Sequence, residues 1–275
     1  MKPAIFLNSS RVTCYFLLAL ILFFTLTSYG QNTQEIGANS NAIAYATVAI
    51  PKATFSSNNI NCLAYETNGY AQFNYKQHFF IQDLNTAHAM IAMPIKKLVY
   101  GLHAKRFGPS HYQESQIGLS IAHRIEHTAL ALKINYEQIA VENFNTTSTY
   151  SIEIGGITKL NEHLYWGSEL YNFTFSEFKE RQLPVVLRTG FSYVQPRITI
   201  ALEVEKNSFY PLLLKAGLHY ELHTHFKINL GIQPTQNSIH SGFNLNIQQW
   251  NLDYAIQWLT KIGVCQEICL RYELH

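Results

Sequence analysis

The sequence predicts an all-β protein, a transmembrane antiparallel β-barrel of about 14 strands with an N-terminal plug or hatch segment. Three observations predict it. From Gly69 to the C-terminus, apolar and polar residues alternate with period two, the mark of strands with one apolar and one polar face. Charge falls on the polar parity, and the apolar faces hold essentially none along their middles. The connections alternate between tight and longer ones, as short periplasmic turns and longer external loops do in outer-membrane barrels.

The first thirty residues read as a signal peptide. Lys2 and Arg11 supply the positive start, Tyr15 to Leu26 is apolar except for Thr25, and Ser28 and Gly30 are small residues before a cleavage point between Gly30 and Gln31. A transmembrane helix needs roughly 20 apolar residues; this run is shorter and meets the polar Gln31, Asn32, Thr33 and Gln34 at once. The expected location is the outer membrane of a Gram-negative cell. Removing Lys2 and Arg11 from the 20 basic residues leaves 18 against 18 acidic ones, a formally neutral mature chain. No basic stripe remains for nucleic acid.

Residues 31–68 do not alternate. Their small residues (Gly37, Ala38, Ala42, Ala44, Ala46, Ala49) indicate a short helix or plug, and Ser56, Ser57, Asn58 and Asn59 mark a turn. No low-complexity linker follows, so residues 69–275 form one barrel domain.

The strands follow in order. Leu98, Tyr100, Leu102 and Ala104 alternate with Val99, Gly101, His103 and Lys105. Leu130, Leu132, Ile134 and Tyr136 alternate with Ala129, Ala131, Lys133 and Asn135. Further clear strands lie over 198–205, 212–221, 226–233, 250–258 and 268–274, with weaker ones near 70–77, 85–93, 113–123, 148–158, 163–172, 185–194 and 239–247. Most reach the ~9–11 residues that a tilted membrane strand needs. Tight connections at 93–97, 123–127, 159–163, 194–197, 222–225 and 247–249 alternate with longer ones, of which 137–148 is the longest expected.

A soluble β-sandwich would also alternate. Its wet face would be richer in Lys and Glu; here charged residues are 14% against about 25% on average. The polar parity carries small and amide residues and balanced charge. Lumen-lining candidates on it are His103, Lys105, Lys133, Glu153, Glu169, Arg188, Glu203, Lys215, His219, Glu221, Lys227, His240, Asp253, Arg271 and Glu273. A Lys or Arg facing the lipid midplane would cost roughly 2–4 kcal/mol. Trp166, Trp250, Trp258 and the strand-end tyrosines fit interfacial girdles. Phe144, Phe173, Phe175 and Phe178, with Ile139 and Val141, are the expected apolar tips of the external loops.

Several chemical readings compete. His219, His223 and His225 lie close in sequence without a defined fourth metal ligand, and no cofactor is implied. A barrel hydrolase would need one of Ser120 and Ser192 within hydrogen-bond reach of His103, His219 or His240. Lumen charges serve as internal ion pairs or as a selectivity path. A wide porin would show more strands. Three cysteines follow the signal: Cys62, Cys265 and Cys269. On one strand Cys265 and Cys269 lie about 13 Å apart, too far to pair. Cys62 joined to one of them is one reading; three free thiols is the preferred one.

The stretch Gly37-Ala38, Ala42, Ala46, Val48, Ala49, followed by Phe55 through Ala64 with Ile60 and Asn61 where Pro and Ala are usual, resembles the N-terminus of the FadL-like superfamily, and most closely its PorV/PorQ-type branch. Phe243-Asn244-Leu245, Leu252-Asp253-Tyr254-Ala255 and Ile268-Cys269-Leu270-Arg271-Tyr272 are similar to its last three strands, with His275 in place of a terminal aromatic residue. The resemblance implies a fourteen-stranded barrel with a hatch in the lumen. It implies a non-enzymatic docking component for secreted or surface proteins of the type IX kind, or else a FadL-like transporter for a small apolar ligand. Outer-membrane lipid is the one partner common to both.

Overall fold

The computed structural model describes residues 35–179 and 181–274; the expected signal peptide and its cleavage point lie outside the described residues. Fourteen strands form one closed antiparallel barrel. They are β1 (Gly69–Gln77), β2 (Asn85–Ile95), β3 (Leu98–Phe107), β4 (Tyr112–Ile125), β5 (Thr128–Val141), β6 (Thr147–Lys159) and β7 (Leu164–Tyr171). After a two-stranded ribbon, β8 (Glu177–Phe178) and β9 (Arg181–Gln182), follow β10 (Val186–Val194), β11 (Ile198–Asn207), β12 (Leu213–His223) and β13 (Phe226–Gln233). The last three are β14 (Ser238–Ile247), β15 (Trp250–Leu259) and β16 (Gly263–Leu274).

Each barrel strand pairs with its neighbours in sequence, and β1 closes on β16 in the register Gly69↔Leu274 to Gln77↔Gln266. Closure removes every open edge, which is what a lipid environment demands of backbone hydrogen bonds. One end carries the short turns 96–97, 126–127, 160–163, 195–197, 224–225 and 248–249. Lys96, Glu126 and Gln248 take φ of 58°, 50° and 54° there, the left-handed value that a two-residue hairpin needs at its first position. Gly69 and Leu274 lie at the same end.

The opposite end carries the longer loops, and here the sequence expectation is corrected. Strands β5 and β6 continue to pair through Glu137↔Thr149 and Ile139↔Thr147, so only 142–146 is loop. The longest connection is 172–185, which contains the β8–β9 ribbon.

The barrel is inside-out relative to a soluble protein. Leu119 (66% exposed), Leu202 (60%) and Trp258 (55%) stand on its outer surface. Asn135, Asn229, Gln233 and His240 are fully buried inside. Residues 35–68 occupy the interior as one short helix, α1 (Ala38–Ala42), and two 3-10 turns, Ala53–Phe55 and Ile60–Tyr65. Small residues suit this segment because it must fit between opposing walls: Ala38, Ala42, Ala44 and Ala46 are all buried.

Candidate functional site: the filled lumen and the cavity above it

The strand registers bring the inward charges face to face. Arg188 on β10 lies opposite Glu169 on β7 and Glu205 on β11, and Glu203 on β11 lies opposite Lys215 on β12. Arg188 binds Glu169 at 3.0 Å and Glu205 at 3.1 Å. Lys215 Nζ meets Glu35 at 2.6 Å, Glu205 at 2.7 Å and Glu203 at 2.9 Å. Lys133 and Glu153, opposite one another on β5 and β6, are 3.5 Å apart. Ions buried this deeply cost several kcal/mol each unless paired and hydrogen-bonded; here the wall pairs them and the inner segment adds donors.

Two carboxylates seat that segment. Glu203 accepts the backbone N–H groups of Thr47 and Val48, both at 2.9 Å. Glu267 on β16 accepts from Gly37 N (2.6 Å), Asn41 Nδ2 (3.0 Å) and the Tyr45 hydroxyl (3.0 Å). The Tyr45 oxygen also accepts from Lys76 Nζ of β1 at 2.9 Å. Arg188 donates to Asn58 O, Ser192 to Ala49 O, and Gln233 to Ala44 O. Two wall glycines make the close approach feasible. A Cβ at Gly217 would stand 2.6 Å from Ile43 O, and one at Gly231 would stand 2.4 Å from Ala44 N. The segment therefore rests backbone-on-backbone against β12 and β13.

The remaining sequence candidates fall into place by height. His219 bonds Asn229 at 2.6 Å, and His240 bonds Ser238 at 3.0 Å and Asn41 at 2.8 Å. Asp253 accepts from Asn244, and Arg271 donates to Glu66 and Ala53 O while its guanidinium lies 3.7 Å over the Tyr70 ring. Glu221 and Lys227 form a half-buried pair at 3.8 Å near the short-turn end, and Glu273 accepts from Asn251. Lys105 stands half-buried toward the long loops. Phe144 (77% exposed), Phe175 (73%) and Phe173 (49%) project from those loops. Phe178 does not: it is buried against Tyr171, Leu183 and Val186, because the β8–β9 ribbon folds back over the mouth.

The hydrolase criterion is met in distance only. His103 Nε2 and Ser120 Oγ are 2.9 Å apart, but His103 Nδ1 has no partner to orient it, and the pair is closed in beside Leu63. Among the described residues no three His, Cys, Asp or Glu side chains gather as a metal site. Cys62, Cys265 and Cys269 are free and buried. Burial, reinforced by Glu169, pushes the Cys62 thiol up and keeps it protonated. Lys52, in the inner segment, is pushed down to about 8 by burial and by Lys227, against the pull of Glu221.

Above the filled lumen, at the long-loop end, lies a cavity of about 490 Å³. Lys105, Gln116 and Glu137 form its floor in one lateral row on β3, β4 and β5. Ile139, Phe178, Leu183 and Phe209 form its apolar side. A second, outward-facing cleft of about 530 Å³ lies against Leu170 and Leu187 on the lipid side of the wall. Gln182, Leu183 and Phe209 line both, so they form the partition between mouth and lipid face.

Glu35, Glu137, Glu205 and Glu267 carry this architecture and were not among the sequence candidates. Parity could have found the last three, since all stand in register with inward neighbours. The partition residues carry no such signal, because loops have no period.

No protein-family model and no curated protein matches the chain in sequence. Solved structures do match in fold. The Ralstonia pickettii toluene transporter TbuX superposes with a TM-score of 0.71 at 8% identity, covering 89% of this chain and 100% of that one. The monoaromatic hydrocarbon channel CymD gives 0.66 at 9% identity, covering 90% and 99%. The Pseudomonas putida toluene transporter TodX gives 0.64 at 8%, covering 90% and 99%. The class defined by fold and interior is thus a closed, internally filled fourteen-stranded barrel, and within it this chain shares the fold of these hydrocarbon transporters and channels.

Proposed function

We propose that the protein is a non-enzymatic outer-membrane transporter of the FadL type that admits a small apolar ligand at the long-loop end. Residues 35–68 act as its hatch. The observation that carries this reading is the mouth cavity of about 490 Å³, within the size range of small-molecule sites and apolar along its loop side. The lumen beneath it is filled, and a polar cavity of about 20 Å³ that shares Lys105 and Gln116 with its floor is enough for a water and nothing larger. Onward passage therefore requires either movement of the hatch or displacement of the Gln182, Leu183 and Phe209 partition toward the lipid-side cleft. The short turns face the periplasm and the long loops face outward.

The docking reading of the PorV/PorQ kind has weaker support. The solved structures sharing the fold that are named above are transporters and channels, and Phe178, one of the apolar residues expected at the external loop tips, is buried. The test is saturable binding of toluene to the protein in lipid nanodiscs, with uptake into expressing cells. Saturable binding lost in Phe209→Asp is the expected result; binding no greater than to empty nanodiscs would refute the transporter reading.

A further inference from the structure

The mouth cavity is not apolar throughout, and its polar half has a particular chemistry. Among the described residues its charged side chains are Lys105, Glu114 and Glu137, and all three are engaged with the protein itself. Glu137 accepts from Gln116 Nε2 at 3.2 Å, from Ser151 Oγ at 2.6 Å and from the Tyr171 hydroxyl. Glu114 accepts from Tyr112. Lys105 lies across from Gln116 in the β3–β4 register, one strand from Glu137. An anionic ligand head entering this floor would meet the carboxylates of Glu114 and Glu137 beside the Lys105 ammonium. A cationic head would displace donors already in place around Glu137. The other described lining residues are uncharged; they include Gln116, Gln138, Gln182 and Tyr210 on the polar side and Phe178, Leu183 and Phe209 on the apolar side.

We infer that the cavity selects an amphiphile with an uncharged hydrogen-bonding head, such as an alcohol or phenol, its body on the phenylalanine side and its head on Gln116. This rests on the transporter reading and narrows it, since a pure hydrocarbon would make no hydrogen bond to the Gln116 carboxamide. A carboxamide supplies both a donor and an acceptor, so it serves a hydroxyl in either role. One net hydrogen bond is worth about three- to tenfold in affinity.

The test is equilibrium dialysis of the full protein in lipid nanodiscs, against empty nanodiscs, with four matched probes: toluene, 4-methylphenol, 4-methylbenzoate and 4-methylbenzylamine. The phenol is expected to bind about three- to tenfold tighter than toluene, with both charged probes weaker than the phenol. Gln116→Leu is expected to bring the phenol back to the toluene level and leave toluene within twofold. Gln182→Leu, on the loop ribbon outside the barrel wall, is the second variant and is expected to remove part of the same advantage if Gln116→Leu does not fold. A phenol that binds no better than toluene, a charged probe that binds best, or a phenol advantage that survives these substitutions overturns this inference and leaves the transporter reading standing. Failure of all four probes to saturate removes the transporter reading itself.

Discussion

Replacing Gly231 by alanine drives a methyl group between the barrel wall and the inner segment. The added Cβ would lie 2.4 Å from both Ala44 N and Ile43 C, where real Cβ contacts do not fall below 3.0 Å. The segment must therefore retreat by at least 0.6 Å, the difference of those two values, and at two backbone atoms together. Neither atom is the free end of a side chain. Ala44 is held besides, its N–H donating to Asn41 O at 2.8 Å and its carbonyl accepting from Gln233 at 3.0 Å. Overpacking of this kind costs about 1–3 kcal/mol, which raises local opening by about 5- to 150-fold. The buried thiol of Cys62 reports that opening directly, in a background carrying Cys265→Ala and Cys269→Ala. The expected result is faster reaction with a thiol reagent by that factor, with heat-modifiable migration and β circular dichroism retained. Gly156→Ala is the control: its Cβ meets only Ala129 O and the movable end of Leu130, both at 3.0 Å. A Cys62 rate within twofold of the parent in Gly231→Ala would refute the idea that backbone contact with the wall seats the segment.

Three other perturbations bear on the interior. Arg188→Met leaves Glu169 and Glu205 without their shared cation and is expected to cost about 3–5 kcal/mol, read as a lower urea midpoint at unchanged slope. Glu267→Gln replaces an acceptor of three hydrogen bonds by a group that turns an amide toward one or more donors; a loss of about 1–3 kcal/mol is expected, and a midpoint within error of the parent would deny it an anchoring role. Lys52 has its pKa depressed to about 8 by burial and Lys227. Between about 8 and the ordinary lysine value the unfolded chain binds more protons than the folded one, so this group makes stability rise with pH across that window and its unfavourable charge is fully felt below it. Lys52→Met should flatten the rise in urea midpoint between pH 8 and 10 and make the protein more stable at pH 7; equal slopes for parent and variant would count against it.

Most of the barrel could be read from the chain because its rule is local. A strand between lipid and a packed interior needs only period two, so Leu98 to Lys105 or Ile198 to Glu205 declare their faces unaided. Once the faces are known, charges on the inward parity of adjacent strands must find one another, and Lys133, Glu153, Arg188 and Glu169 do so. What periodicity omits is height. It could not separate Lys215, wholly buried among three carboxylates, from Lys227 at the half-exposed end, because both share one parity. Nor could it show that Gly217 and Gly231 are there for a passing backbone, since a glycine on the polar face looks like any small lumen residue. The loops were least legible. Phe178 was expected to project because it is apolar and lies beyond β7, and it turns inward because the β8–β9 ribbon, too short to show a period, closes over the mouth.

The Tyr45 hydroxyl touches the first barrel strand through Lys76 and the last through Glu267, and those two residues are partners across the closing seam. The site for this phenol does not exist until β1 and β16 have come together, since each strand supplies half of it. The contact that seats Tyr45 is therefore complete only in the closed cylinder. A chain that left its N-terminal segment outside would have to shut its seam with a lysine and a glutamate deprived of the clasp between them. The inner segment and the barrel seam thus share one clasp, running from Lys76 through Tyr45 to Glu267.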